Sequence, residues 1–182
     1  MRNRKRIWVP HLFHHVSNRG NRKEPIFRNV SDYLFFLDLL QRAHKLYSIE
    51  ICAYCLMGNH YHLQLRSKHA SLSAVMAFIN KKYADHFNKK YNLTGHLFER
   101  KFFSKPAYDH RSNLNLSRYI HQNPVKADIV RHPEDYRWSS YSFFLTGEET
   151  PLPPYMNISP LLYHFPGTSL EQKQSFIEWA RF

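Results

Sequence analysis

Between Met57 and Arg66 the chain reads Met-Gly-Asn-His-Tyr-His-Leu-Gln-Leu-Arg, an alternation with the two-residue period of a β-strand. Tyr61, Leu63 and Leu65 fall on one face, and His60, His62, Gln64 and Arg66 on the other. The apolar face seats the strand on a core, so both histidines are expected to look away from that core into whatever site the sheet supports. Ile49 to Leu56, just upstream, is a second and more apolar strand, and Gly58-Asn59 is a tight turn that pairs the two as a hairpin. Residues 11–19, His-Leu-Phe-His-His-Val-Ser-Asn-Arg, alternate more loosely and run into Gly20-Asn21 as a strand runs into a turn.

The helical period governs two longer stretches. Tyr33, Phe36, Leu37, Leu40, Ala43 and Tyr47 follow a predicted N-cap at Ser31, with Asp32 in the first turn. Ser71 opens a second helix through Leu72, Val75, Ile79, Tyr83 and Phe87, which Leu93-Thr94-Gly95 ends. His96 to Tyr108 is a further extended segment in which Arg100, Lys101 and Lys105 interleave with Leu97, Phe98, Phe102 and Phe103. Such a mixture either holds a phosphate backbone and stacks exposed bases, or places its aromatics in the core. Strand, helix, strand, strand, helix, strand is the order of an α+β, ferredoxin-like split βαβ sandwich: an antiparallel sheet with both helices on one face, leaving the other free for a site.

A third helix is expected from Leu114 to Asn123, capped by Ser112 or Asn113 and stopped by Pro124, because the residue before proline avoids the helical region. Tyr119 and Asn123 are four apart and share a face of it. The pair is either a hydroxyl and an amide presented side by side, or a half-buried tyrosine with an asparagine closing the helix. After Trp138-Ser139-Ser140-Tyr141 the composition changes, and five prolines lie between Pro151 and Pro166. The expected division is a main domain over 1–145, then a Pro-rich tether and a short helix over 146–182.

Charge narrows the partners. Across 182 residues, 26 Lys and Arg against 14 Asp and Glu leave a net +12, with a pI near 9.8, as nucleic-acid binders have. No apolar run reaches membrane-spanning length, and no apolar segment follows the basic start Met1-Arg2-Asn3-Arg4-Lys5-Arg6, so a cytoplasmic protein without a membrane partner is expected. Arg4, Lys5, Arg6, Arg19, Arg22, Lys23, Arg100, Lys101 and Lys105 are the candidate nucleic-acid contacts. Cys52 and Cys55 have a zinc-like spacing, but only four residues separate them from His60, and positions three apart on a strand face opposite ways. They are expected to fill core. His60 and His62 can share one ion, since two imidazoles two residues apart on a strand reach the same point; solvated or structural histidines are the plainer alternative.

Five motifs then occur in order: Val16-Ser17-Asn18-Arg19-Gly20-Asn21, Met57-Gly58-Asn59-His60-Tyr61-His62, Gly95-His96-Leu97-Phe98, Tyr119-Ile120-His121-Gln122-Asn123-Pro124-Val125 and Tyr136-Arg137-Trp138-Ser139-Ser140. Together they resemble the single-tyrosine HUH transposases, most closely the REP-associated tyrosine transposases. The resemblance implies a nuclease that cuts and rejoins single-stranded DNA at hairpin-forming repetitive extragenic palindromes. It also implies that His60, His62 and Asn123 hold a magnesium or manganese ion, that Tyr119 is the nucleophile, and that the intermediate is a 5′-phosphotyrosine. Whether a homodimer exchanges helices stays open at this point. The rival readings are a non-catalytic module that binds hairpin DNA, and an RNA-binding domain of the same fold.

Overall fold

The computed structural model describes residues 7–145 and 151–181. Four strands form one sheet: β1 (His14–Arg19), β2 (Glu50–Met57), β3 (His60–Arg66) and β4 (Phe103–Pro106). They lie in the order β2-β3-β1-β4 and every neighbouring pair is antiparallel. With α1 (Val30–Tyr47) and α2 (Leu72–Tyr91) as the crossovers, this is the ferredoxin-like arrangement expected from the order of elements. Among the described residues no helix is long and apolar enough to cross a membrane.

Alternation along each strand decides which side becomes core. Val16, Leu63, Leu65 and Tyr61 meet Phe36, Leu39, Leu40 and Ala43 of α1 and Val75, Met76, Ile79 and Tyr83 of α2 in one buried cluster. At about 25 cal/mol per Å2 of apolar surface removed from water, this face is the main source of stability. The two helices are also tied polar to polar: Asp32, fully buried, accepts from the backbone N–H groups of Arg28 and Asn29, and from Lys90 and Tyr91 on α2. Asn29, not Ser31, is the N-cap of α1; its side chain and that of Asp32 satisfy the free N–H groups of the first turn as a capping box.

Alternation along β2 turns Cys52 into this core and Cys55 to the opposite face, and a bulge between Ile51 and Ala53 brings Ile51 to the core side as well. Both cysteines are buried and free, and burial raises both thiols, so they are packing residues as their spacing indicated.

The opposite face departs from expectation. It is not left free. The third helix, α3 (His110–His121), lies across β2 and β3, where Ile120 and Leu116 pack on Ala53, Cys55 and Met57 together with Tyr136. It starts earlier than predicted, because Asp109 caps it and Ser112, three residues on, closes the capping box. α3 ends at His121, before Pro124 as expected, but the residue before the proline, Asn123, is helical: Gln122 keeps a helical conformation and the single turn α4 (Asn123–Lys126) follows, with the proline near its start where a missing N–H costs nothing.

Residues 151–181 join the same body. Ile51 N–H donates to the carbonyl of Tyr155, and Asn157 N–H donates to that of Ile51, along the outer edge of β2. Further along, Leu56 N–H donates to the Trp138 carbonyl and Tyr54 N–H to Ser140 Oγ. The sheet edge that would otherwise invite another strand is thereby covered. After the short α5 (Ser159–Leu162), α6 (Ser169–Arg181) buries Phe176, Ile177 and Ala180 against the body, with Phe176 stacked on Phe144.

Candidate active site

The His60 and His62 rings stand edge to face with centroids 5.0 Å apart on the face that α3 partly covers. Both look away from the main core, as expected, but the face is enclosed: His62 keeps only 7% of its surface, and Gln64 beyond it is fully buried, donating to Asn113 of α3. The apolar stripe of α3 had to be buried somewhere, and β2 and β3 supply the surface.

Each ring is held by its Nδ1. The Gly58-Asn59 turn is gripped by the loop after β1: Gly20 N–H donates to the Asn59 carbonyl, and Ile26 and Phe27 N–H donate to that of Gly58. A Cβ on Gly20 would lie 2.1 Å from the Glu24 carbonyl oxygen, so only glycine permits this approach. Asn59 Nδ2 donates to the Lys23 carbonyl at 3.0 Å, which turns Asn59 Oδ1 toward His60 Nδ1 at 2.7 Å. An amide oxygen only accepts, so the ring proton sits on Nδ1 and Nε2 carries a bare lone pair. His62 Nδ1 lies 2.8 Å from His15 Nε2, the two rings stacked with centroids 5.1 Å apart. This contact admits two tautomers, and the one in which His62 Nδ1 donates to His15 leaves His62 Nε2 as a bare lone pair.

Electrostatics keeps these rings neutral. Burial, with Arg19 adding to it, lowers His60 to about 4. Burial and then the neighbouring His15, His60 and Arg19 lower His62 to about 3. His15 falls to about 4 through burial and Lys105. Near neutral pH all three offer lone pairs rather than charges, the condition a metal ligand requires.

The tyrosine comes from α3. Tyr119 is 41% exposed, and its ring lies edge-on to His62 and His15, centroids 5.5 and 5.6 Å away. Asn123 folds back so that Nδ2 donates to the Tyr119 carbonyl at 2.7 Å, leaving Oδ1 as the amide's outward acceptor. The neighbouring Gln122 turns away and donates to the Ala180 carbonyl of α6. The helix is fixed from behind as well, by His121 Nε2 paired with Ser140 Oγ at 2.9 Å and by Arg118 over the Trp179 ring.

The basic candidates separate. Arg19 and Lys105 lie on the histidine face, opposite His60 and His15 in the strand register. Arg22 and Lys23 are exposed on the short turn Asn21–Lys23 beside the Gly58-Asn59 turn. Arg100 and Lys101 line a groove against α2 together with Asn18, whose side chain faces away from the histidines. Arg4, Lys5 and Arg6 fall outside the described residues.

Residues 9–123 match the model of the family described as transposase IS200 like. The chain belongs to the IS200-like transposases. This transposase also shares its fold with a solved structure described as a REP-associated tyrosine transposase bound to a REP hairpin, with a TM-score of 0.67 at 17% identity over 87% of this chain and 99% of that one. No curated protein sequence matches it. Two residues of the transposase site escaped the sequence reading, His15 and Asn59. His15 follows His14 directly, and a loosely alternating strand did not show which of the two faces the site; the signal was Ser17 and Arg19, polar at the same parity.

Among the described residues no group of three or more histidine, cysteine and acidic side chains converges as a metal cage. The donors that do converge, two neutral imidazoles whose Nδ1 atoms are already taken, fit a divalent ion in the way metal-binding histidines usually do.

Proposed function

We propose that this chain is a metal-dependent endonuclease and strand transferase acting on single-stranded DNA at hairpins formed by repetitive palindromic sequences. One observation carries the reading: within a single chain, α3 brings the Tyr119 ring against His62, and His60 and His62 each have Nδ1 engaged by a neighbouring side chain. A pure binding module needs neither the tyrosine nor the histidines. Family membership supports DNA cleavage and rejoining, and the hairpin in the structurally similar transposase supports the substrate class.

His60, His62 and Asn123 Oδ1 would hold magnesium or manganese, and the bound ion would polarise the scissile phosphate and stabilise the charge that gathers on its oxygens. Water and phosphate oxygens are needed to complete such a shell. Tyr119 Oη attacks the phosphorus, the bond to the 3′ oxygen breaks, and the phenolic proton is passed through solvent to that oxygen. The products are a 5′-phosphotyrosine and a free 3′ hydroxyl. Because the new ester keeps the energy of the old one, a 3′ hydroxyl can reverse the step and join strands without ATP. His15 and Asn59 take no part in bond changes; they hold the two ligand rings in tautomer and orientation.

Incubation with manganese and a labelled single-stranded hairpin library, followed by denaturing electrophoresis, tests this. A denaturant-resistant adduct that Tyr119→Phe abolishes is expected. Salt-dependent hairpin binding with no adduct would overturn the enzyme reading in favour of a binding module.

A further inference from the structure

The interleaved aromatics of residues 97–103 are sorted by the structure. Phe102 is buried, and Leu97 and Phe98 pack against the main core, Phe98 edge-on to Tyr61. Phe103 alone of the four is exposed, at 47%. It opens β4, an edge strand, pairs with Ser17, and therefore projects from the same face as the histidines. Its ring meets the edge of His15 at 5.5 Å between centroids, and His15 in turn touches Tyr119. Lys105, two residues along and on the same face, is exposed beside it.

We propose that Phe103 is a stacking platform for one unpaired nucleobase next to the scissile phosphate, with Lys105 contacting the backbone of the same nucleotide. The inference rests on the reading of the chain as a hairpin DNA nuclease. A large aromatic left half exposed on an edge strand keeps a flat apolar face in solvent, and the lysine beside it adds a positive charge. Single-stranded DNA supplies what fits: a flat π-face for the ring and a phosphate for the amine. The position fits too. One ring, His15, separates Phe103 from the tyrosine, so a base stacked there belongs to a nucleotide adjoining the bond that is cut.

The test uses the full chain and hairpins in which each nucleotide flanking the cut is replaced in turn by an abasic site. At one position the abasic hairpin should slow adduct formation roughly tenfold to a hundredfold with the wild-type protein. Phe103→Ala should lose the same factor on intact DNA and nothing further on that abasic hairpin, while Phe103→Trp restores the rate. Equal losses for Phe103→Ala with and without every base, or none at all, would overturn the proposal. Circular dichroism melting of Phe103→Ala should match the wild type, as an exposed side chain requires. A second arm does not depend on cleavage. In the Tyr119→Phe background, with 2-aminopurine placed in turn at each unpaired nucleotide of the hairpin substrate, one position should be quenched on binding, and Phe103→Ala should remove that quench; hairpin binding with no quench that depends on Phe103 overturns stacking. If the wild type forms no adduct yet the quench is present and needs Phe103, the platform stands and the catalytic reading falls.

Discussion

On the face of the sheet that carries the histidines, β2 and β3 lie under α3, whereas β1 and β4 are bare. On the covered half, Ala53, Cys55 and Met57 of β2 are closed over by Leu116 and Ile120, and Gln64 of β3 is buried with its amide donating to Asn113. The bare half presents Ser17, Arg19, Phe103 and Lys105. His62, His15 and Tyr119 meet along the seam. The difference shows what the chemistry requires of its surroundings. An imidazole kept neutral has to be buried, and His62 is. The nucleophile proposed above would have to be open to reach a bulky polymer, and Tyr119 is 41% exposed. Only a boundary between packed and bare sheet supplies both within one ring's width.

The comparison breaks most visibly on the covered side. Ile120→Ala empties a fully buried position between α3 and the sheet and should cost about 2–5 kcal/mol of stability. A urea midpoint close to wild type would show that α3 is not docked there.

Acid sharpens the contrast between packed and bare histidines. Burial holds His121 and His62 near 3 in the folded protein, against about 6.5 for an ordinary histidine. The folded state then binds fewer protons than the unfolded one, so their contribution to stability is complete above pH 6.5 and is lost as the pH falls toward 3. Each should give a slope approaching ~1.4 kcal/mol per pH unit in that window. Urea midpoints should decline steadily from pH 7 to pH 5; a flat midpoint would contradict the burial.

At the seam, His15→Ala removes the partner of His62 Nδ1 and should weaken manganese binding about 10- to 100-fold, with little change in hairpin affinity. Calorimetric titration with the metal reads the first and filter binding the second, and His15→Gln, which retains an acceptor, should recover part of the loss. The smallest effect belongs to the bare half. Lys105→Ala should leave stability unchanged and reduce the slope of log affinity against log salt by about one.

The sheet was legible because Tyr61, Leu63 and Leu65 alternate strictly with polar residues, and α1 and α2 because their apolar positions keep one period from cap to stop. That His60 and His62 share one face was legible; that α3 would enclose it was not. Leu116 and Ile120, four apart, announced an apolar stripe on α3, but nothing in their spacing said that it would cover β2 and β3 instead of a further element. His15 was hidden by its neighbour His14, which is equally a histidine and points into the core. Asp109 was passed over as a cap because Ser112 and Asn113 lay nearer the apolar residues, although Asp109 and Ser112 together make the capping box.

The central claim is that one chain contributes both Tyr119 and the histidine pair to one site. Mixing Tyr119→Phe protein with a His60→Ala, His62→Ala double variant, each inactive alone, and then assaying the covalent DNA adduct tests it most directly. Sites built within single chains predict no adduct from the mixture at any ratio. Recovery of the adduct on mixing would mean that α3 carries its tyrosine to the histidines of a second copy, and would contradict the docking of α3 on its own sheet.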